Sequence, residues 1–355
     1  MIANATGGQR PLGIPTVLDR LIQQAISQII APMFEATFHP KSFGFRPQRR
    51  ARQALAEMEQ AHTDGYRFAV DCDLQRFFDT VNHDLLLCRL RRKIDDECVI
   101  GLIARYLRAG VQLPDGKRTA TGVPQGSPLS PILANIMLDD LDWELDRRCL
   151  RFARYADDFL IFVKSRRAAK RVLGSVARFV EGRLGLVVNR TKSKAAKLSQ
   201  CTFLGFRLFR GKLRWIDSAV TRFKDRVRKI TSRSSGRNMA WRIEALRRYV
   251  IGWLNYFGHS HSYRAVLKRD TWLRRRIRLC YWKAWKRPRP RRKRLLALGT
   301  DPAEVHLATR SRKGYWRMSR NRIVQQALSN RWLWGQGVPN RKQQWIGLHY
   351  GSSAN

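Results

Sequence analysis

Acidic residues are scarce in this chain: 27 Asp and Glu stand against 70 Lys and Arg over 355 residues, giving a formal charge of +43 and a pI near 11.4. Self-repulsion on that scale costs stability unless a polyanion is usually at hand, so nucleic acid is the expected partner. No stretch approaches the roughly 18 consecutive apolar residues that a membrane span requires. Met1 opens no signal-peptide pattern either, so a cytoplasmic protein without a membrane partner is expected. Cysteine is sparse and scattered (Cys72, Cys88, Cys98, Cys149, Cys201, Cys280), with no two at zinc-ligand spacing. Disulfides are not expected in that compartment, so the six read as small core residues. A zinc-bound nuclease module is not expected on the same ground, and no internal repeat is visible.

What is present is a folding sequence: 44% hydrophobic residues with 11 Trp and 16 Phe, long enough for two or three domains. Its charge is uneven. Residues 221–355 carry 34 basic against 5 acidic residues, whereas residues 1–220 hold 22 of the 27 acids. The split places a boundary near 210–220, with a catalytic portion before it and a nucleic-acid-gripping portion after it.

Residues 17–31 repeat apolar positions at helical spacing (Val17, Leu18, Leu21, Ile22, Ala25, Ile26, Ile29, Ile30), punctuated by Pro15 and Pro32. Residues 66–74 alternate like a strand, with Phe68, Val70 and Cys72 on one face and Asp71 and Asp73 on the other. An amphipathic helix is expected over 130–147, two strands around a turn over 151–164, a helix over 166–184, and a strand pair starting at 203–206. Beyond 220 the pattern turns helical over 221–230, 238–258 and 263–286, and Pro288 and Pro290 are expected to keep 287–294 out of a helix. The fold class is α+β, with an all-α portion at the end.

The chemistry lies in the carboxylates. Tyr155-Ala156-Asp157-Asp158 sits between two apolar stretches, where two adjacent acids repel each other unless a cation joins them. Mg²⁺ prefers carboxylate oxygens completed by substrate phosphates, and two-metal phosphoryl transfer calls for a further carboxylate from another strand. Asp73, at the end of the 66–74 strand, can supply it. Asp71 shares its face, so the pattern alone does not choose between the two. Asp79 and His83 suit capping or hydrogen bonding better than catalysis.

These blocks resemble, in order and spacing, the bacterial group II intron-encoded reverse transcriptase/maturases. The resemblance runs through RPLGIPTVLDRLIQQAI (10–26), SFGFRP (42–47), DCDLQRFFDTVNHDLL (71–86), GVPQGSPLSPILANIMLDDLD (122–142), RYADDFLIF (154–162), LGLVVNRTKSK (184–194) and FLGF (203–206). It implies a right-hand polymerase palm with partial fingers, then an all-α thumb/maturase domain. The divisions are 1–65 (partial fingers), 66–215 (palm), 216–300 (thumb/maturase) and 301–355 (the C-terminal part of the maturase region). It implies two Mg²⁺ ions on the catalytic residues Asp73, Asp157 and Asp158, since the family's ligand directly precedes an Ile or Leu. Phe78 matches the steric gate against a ribose 2′-hydroxyl, and it is also a natural core aromatic. Arg10, Gln125 and Lys192 match nucleotide-contacting positions, and Phe203, Leu204 and Gly205 the primer grip.

Residues 247–260, 271–299 and 312–320 resemble the family's maturase domain, where Arg274, Arg275, Arg276, Arg278, Lys283, Lys286 and Arg287 interleave with Trp272, Tyr281, Trp282 and Trp285. Cations for phosphates and aromatics for unstacked bases suit RNA; half of these aromatics are expected in a helical core. The implied partners are intron RNA, an RNA template with a DNA primer, and deoxynucleoside triphosphates. The implied function is RNA-directed DNA synthesis with assistance to splicing and retrohoming. Family members carry further residues ahead of the segment matching 7–11, so incomplete fingers are expected. The alternative is therefore an RNA-binding splicing factor without polymerase activity.

Overall fold

The computed structural model describes residues 13–110 and 121–351, with the backbone alone of 2–3 and 9–10. It divides into two compact units, Met1–Gly211 and Lys212–Asn355. In the first, β1 (Ile2–Ala3) and β2 (Gln9–Arg10) pair antiparallel. There follow α1 (Val17–Glu35), α2 (Ala51–Thr63), β3 (Phe68–Cys72), α3 (Phe77–Thr80), α4 (His83–Leu90), α5 (Glu97–Ala109) and α6 (Ser130–Arg147). The unit is completed by β4 (Arg151–Tyr155), β5 (Asp158–Val163), α7 (Arg166–Arg183), β6 (Lys194–Lys197) and β7 (Phe206–Phe209).

Its centre is a four-stranded antiparallel sheet in the order β4-β5-β3-β6. β5 is apolar from Phe159 to Val163 and buried throughout, as a central strand covered on both faces should be. Val70 and Cys72 of β3, with Phe159 and Ile161 of β5, join Leu86, Ile103, Met137, Leu141 and Val176 in one core. That is the face expected from the alternation. The opposite face is covered too, since Ala69, Leu160 and Phe162 are buried. At about 25 cal/mol per Å², each fully buried large apolar side chain here contributes of the order of 1.5–3 kcal/mol.

One expectation fails in α1. The helix passes through Pro32 and ends at Glu35. Pro32 is exposed, so the carbonyl it leaves unpaired meets water, while burial of Ile30 and Phe34 on the inner face keeps the helix going. The apolar positions divide between the core and the surface. Gln23, Ile26, Ile30 and Phe34 face the core, while Val17, Leu18, Leu21 and Ile29 are exposed.

The second unit contains β8 (Lys212–Trp215) and the helices α8 (Asp217–Ile230), α9 (Met239–Phe257), α10 (Tyr263–Ala284), α11 (Pro288–Ala297) and α12 (Pro302–Thr309). It ends in α13 (Tyr315–Met318), α14 (Arg322–Ala327), α15 (Asn330–Gly335) and α16 (Arg341–Tyr350). One core gathers Trp282, Trp285, Leu295, Val305, Met318 and Val324. α11 corrects the expectation for 287–294. Pro288 and Pro290 occupy its first turn, where the missing N–H groups have no acceptor to lose, so they start the helix rather than prevent it. The cysteines are corrected in part: Cys72, Cys201 and Cys280 are buried, but Cys88, Cys98 and Cys149 are exposed. No described helix is long and apolar enough to cross a membrane.

Candidate active site

β4 and β5 close at the Tyr155–Asp158 pair around a two-residue loop, Ala156-Asp157. Ala156 has a φ of +57°, a left-handed conformation that costs a residue with a side chain about 1–3 kcal/mol. β3 pairs with β5 up to Cys72 opposite Phe159. One step further along that register, Asp73 comes opposite Asp158. The turn therefore delivers two acids to the end of the strand that delivers the third.

A buried polar network holds the turn in its strained form. Arg154, on β4, donates from Nε to Asp142 at 2.7 Å, and its side chain and that of Asp142 are almost wholly buried. Arg154 Nη1 donates to the Asn135 side-chain oxygen at 3.0 Å and to the Ala156 carbonyl at 2.9 Å. Asn135 in turn donates to the Gly44 carbonyl at 2.9 Å. The SFGFRP segment lies along β4, with Phe43 N–H donating to the Arg154 carbonyl at 2.9 Å and Arg154 N–H to the Lys41 carbonyl at 3.0 Å. Gly44 approaches so closely that a Cβ there would stand 2.2 Å from the Ala156 nitrogen. Removing one partner of a charge pair this dry is strongly destabilising, because it leaves an uncompensated buried charge. None of Gly44, Asn135, Asp142 or Arg154 stood out in the sequence as a site residue; the one signal was that they lie in blocks of the same resemblance.

The electrostatics of the turn are those of crowded carboxylates. Burial, then the negative charges of Asp71 and Asp157, push the Asp158 carboxyl up to about 7, against a hydrogen bond from the Leu204 backbone N–H that favours its ionised form. Asp71 is raised as well, chiefly by burial, with Lys194 opposing at 3.5 Å. Its pairing with Lys194 distinguishes it from Asp73, which is more exposed and has the Lys192 Nζ at 4.0 Å from its Oδ2. The 184–194 segment fixes Asp73 from outside the sheet. Asn189 N–H donates to the Asp73 carbonyl at 2.8 Å, and Asp73 N–H donates to Ser193 Oγ at 3.0 Å. The Asn189 side chain also accepts from the N–H groups of Thr191 and Lys192, which sets the loop that carries the lysine.

The other expected residues fall as follows. Phe78 is half-buried against the core, and its carbonyl accepts the Val123 N–H at 2.6 Å. Gly122 sits beside it at a φ of +93°, where a Cβ would come within 2.5 Å of that carbonyl, so Phe78 and the 122–126 loop are packed together. Gln125 accepts from Gly13 N–H through its carbonyl at 2.9 Å. Phe203 and Phe206 exchange both backbone hydrogen bonds across a turn in which Leu204 and Gly205 have φ of +52° and +80°. Arg10 is described in its backbone only, and its side chain lies outside the described residues. Asp79 lies in the first turn of α3, and His83 Nε2 is 2.8 Å from the Gly122 carbonyl.

In the second unit the arginine run of α10 is bound up internally. Arg274 bonds Asp270, and Arg275 donates to the Trp316 carbonyl at 2.9 Å and stacks on that ring. Arg276 donates to Thr231 Oγ1 at 2.9 Å, and the buried Arg278 to the Leu328 carbonyl at 2.9 Å. Lys283 bonds the Arg233 carbonyl, whereas Lys286 and Arg287 are exposed. Of the four aromatics, Trp282 and Trp285 are buried, and Trp272 and Tyr281 are half-buried.

A palm-like antiparallel sheet whose strand ends gather three acids, beside a lysine and a tight backbone turn, is the arrangement of a nucleotidyl-transferring polymerase. Residues 2–208 match the model of the reverse transcriptase (RNA-dependent DNA polymerase) family, and residues 220–299 that of the group II intron maturase-specific domain. The chain belongs to the reverse transcriptase family. It is 32% identical over 259 residues to protein YkfC of Escherichia coli, covering 62% of this chain and 68% of that protein. It is 41% identical over 134 residues to the group II intron-encoded protein LtrA of Lactococcus lactis, covering 38% of this chain and 22% of that one. Apo telomerase from Candida tropicalis aligns with 94% of this chain and 56% of its own, at a TM-score of 0.43 and 11% identity.

Polymerases of this family work with divalent metal ions. Among the described residues no group of three or more His, Cys, Asp or Glu is spaced as a metal cage. Mg²⁺ does not need one, because one or two carboxylates, water and substrate phosphates complete its shell. Hard oxygen donors, with a repulsion among them that a cation relieves, fit that ion.

Proposed function

We propose that the chain is an RNA-directed DNA polymerase that also binds intron RNA and assists its splicing and retrohoming. The observation that carries the reading is the delivery of Asp73 and Asp158 to one end of the β3–β5 pair, with Asp157 in the turn between the strands. In the reaction the primer 3′-hydroxyl attacks the α-phosphate of a deoxynucleoside triphosphate and pyrophosphate leaves. Two Mg²⁺ ions held by Asp73, Asp157 and Asp158 would supply charge neutralisation and a lowered hydroxyl pKa.

The chain's own groups do the rest. Lys192 brings an ammonium proton to the side of the leaving pyrophosphate, tethered near Asp73. Phe78 closes the space a 2′-hydroxyl would need; Val123 N–H bonds its carbonyl, and its ring packs edge-on against Phe77. The Phe203-Leu204-Gly205 turn offers its backbone to the primer end while the Leu204 N–H orients Asp158. Gln125 and Arg10 contact the incoming nucleotide and the nascent pair. RNA is gripped by the exposed Lys286 and Arg287, with Lys283 beside them. Arg274, Arg275, Arg276 and Arg278 add field strength from within the helical unit.

The test is incorporation of deoxynucleotides by the purified chain on a primed RNA template with Mg²⁺. Stepwise extension is expected. RNA binding without any extension would instead support an RNA-binding splicing factor.

A further inference from the structure

A concavity of about 810 Å³ opens in the helical unit, sharing only Trp272 with the candidate residues named above. Five cations line it: Arg214 from β8, Lys224 from α8, and Arg264, Lys268 and Arg269 from α10. No carboxylate is among the lining residues, and Lys224, Arg264 and Lys268 enter no ion pair among the described residues, while Asp217 offsets part of the charge at Arg269 alone. Holding like charges together costs Coulomb energy that an anionic ligand recovers.

Two further features give the anion a place. The first turn of the 22-residue α10 lies in the wall, its N-cap Ser262 makes no side-chain bond to that turn, and so its positive dipole end is left for a ligand. Arg269 is half-buried, with its guanidinium 4.9 Å over the Trp215 ring and its buried Nε donating to no acceptor among the described residues. The wall is aromatic as well as basic, since Trp272 and Tyr263 line it, both half-buried. The volume falls within the roughly 300–1,000 Å³ of pockets that hold one small organic ligand.

We propose that this pocket takes one unpaired nucleotide extruded from bound RNA, its phosphate against Arg264, Lys268 and the start of α10 and its base stacked on Trp272. The inference rests on the chain binding RNA. It adds a local preference that a merely basic surface would lack, because a surface that reads phosphates alone binds paired and bulged RNA alike.

The experiment uses the full chain and two RNA hairpins that differ only by a single bulged nucleotide, with 2-aminopurine at the bulge. The bulged hairpin should bind about fivefold or more tightly, the scale of one base–aromatic stack, and its 2-aminopurine signal should change on binding. Trp272→Ala should bring the two affinities level. Arg264→Gln with Lys268→Gln, both exposed and harmless to folding, should also remove the preference and lower the salt dependence of binding to the bulged hairpin by about two phosphate contacts. Binding to the paired hairpin should stay within about threefold in the Trp272 variant. Equal wild-type affinities, or a preference that survives both changes, would overturn the proposal while leaving RNA binding intact. Failure to bind either hairpin would count against the RNA-binding reading itself.

Discussion

Replacing Gly44 by alanine should disable the 155–158 turn, proposed to carry the catalysis, without touching any of its carboxylates. The new Cβ would stand 2.2 Å from the Ala156 nitrogen, 2.9 Å from the Tyr155 carbonyl carbon and 3.1 Å from the Ala156 Cα. All three are backbone atoms, so no side chain can swing aside. Ordinary contact lies beyond 3.4 Å, so the strands must part by about 1 Å. Neither side yields freely: Phe43 and Lys41 are bonded to Arg154, and Asn135 holds the Gly44 carbonyl. The displacement therefore passes into the 156–158 turn. A misplacement of about 1 Å in a reacting constellation costs roughly 100-fold in rate, or about 2.7 kcal/mol in the barrier, and overpacking of this kind costs about 1–3 kcal/mol in stability. Single-turnover primer extension should show the rate loss at saturating deoxynucleotide, with RNA affinity kept. Gly174→Ala is the control, since its Cβ meets nothing within 4 Å on α7 and should leave the rate alone. A Gly44→Ala protein extending at the wild-type rate would refute the clamp.

Asp142→Ala leaves the Arg154 guanidinium buried without its counter-charge and should lower stability by about 3–5 kcal/mol in urea denaturation. Asp139 is pushed up to about 6 by burial and then by Asp142, and its buried Oδ1 accepts no hydrogen bond. Because the folded carboxyl holds its proton more tightly than the unfolded one, stability it lends below pH 4 should fade as pH rises through 6. Asp139→Asn should therefore flatten that decline, by about 1–3 kcal/mol, in urea midpoints taken from pH 4 to 7. Phe78→Val should admit ribonucleotides, measured as their incorporation relative to deoxynucleotides; unchanged discrimination would return Phe78 to a purely structural role.

The palm was legible because its signals are local. Strict alternation in 66–74, an unbroken apolar β5 and adjacent acids between them define the sheet and its chemistry within about a hundred residues. Choosing Asp73 over Asp71 was not legible from periodicity, since the two share a face. The preference for Asp73 came from the family resemblance; their surroundings differ only in tertiary contacts, with Lys194 beside Asp71 and Asn189 and Ser193 bonding the Asp73 backbone. Proline misled twice because its effect depends on position within a helix: exposed in the last turns of α1, and in the first turn of α11. The arginines of α10 read as cations for RNA phosphates, yet successive residues turn about 100° around a helix, and three of them meet acceptors on Thr231 after α8, on Trp316 of α13 and on Leu328 before α15. The Gly44–Asn135–Asp142–Arg154 network joins segments a hundred residues apart, and no spacing rule announces it.

Asp73, Asp157 and Asp158 are proposed to act as one site. The direct test is Asp157→Ala in the full chain, assayed for extension of a primed RNA with Mg²⁺ and, in parallel, for RNA affinity. Extension should disappear while RNA affinity stays nearly unchanged. Primer extension at the wild-type rate would contradict the assignment of the site.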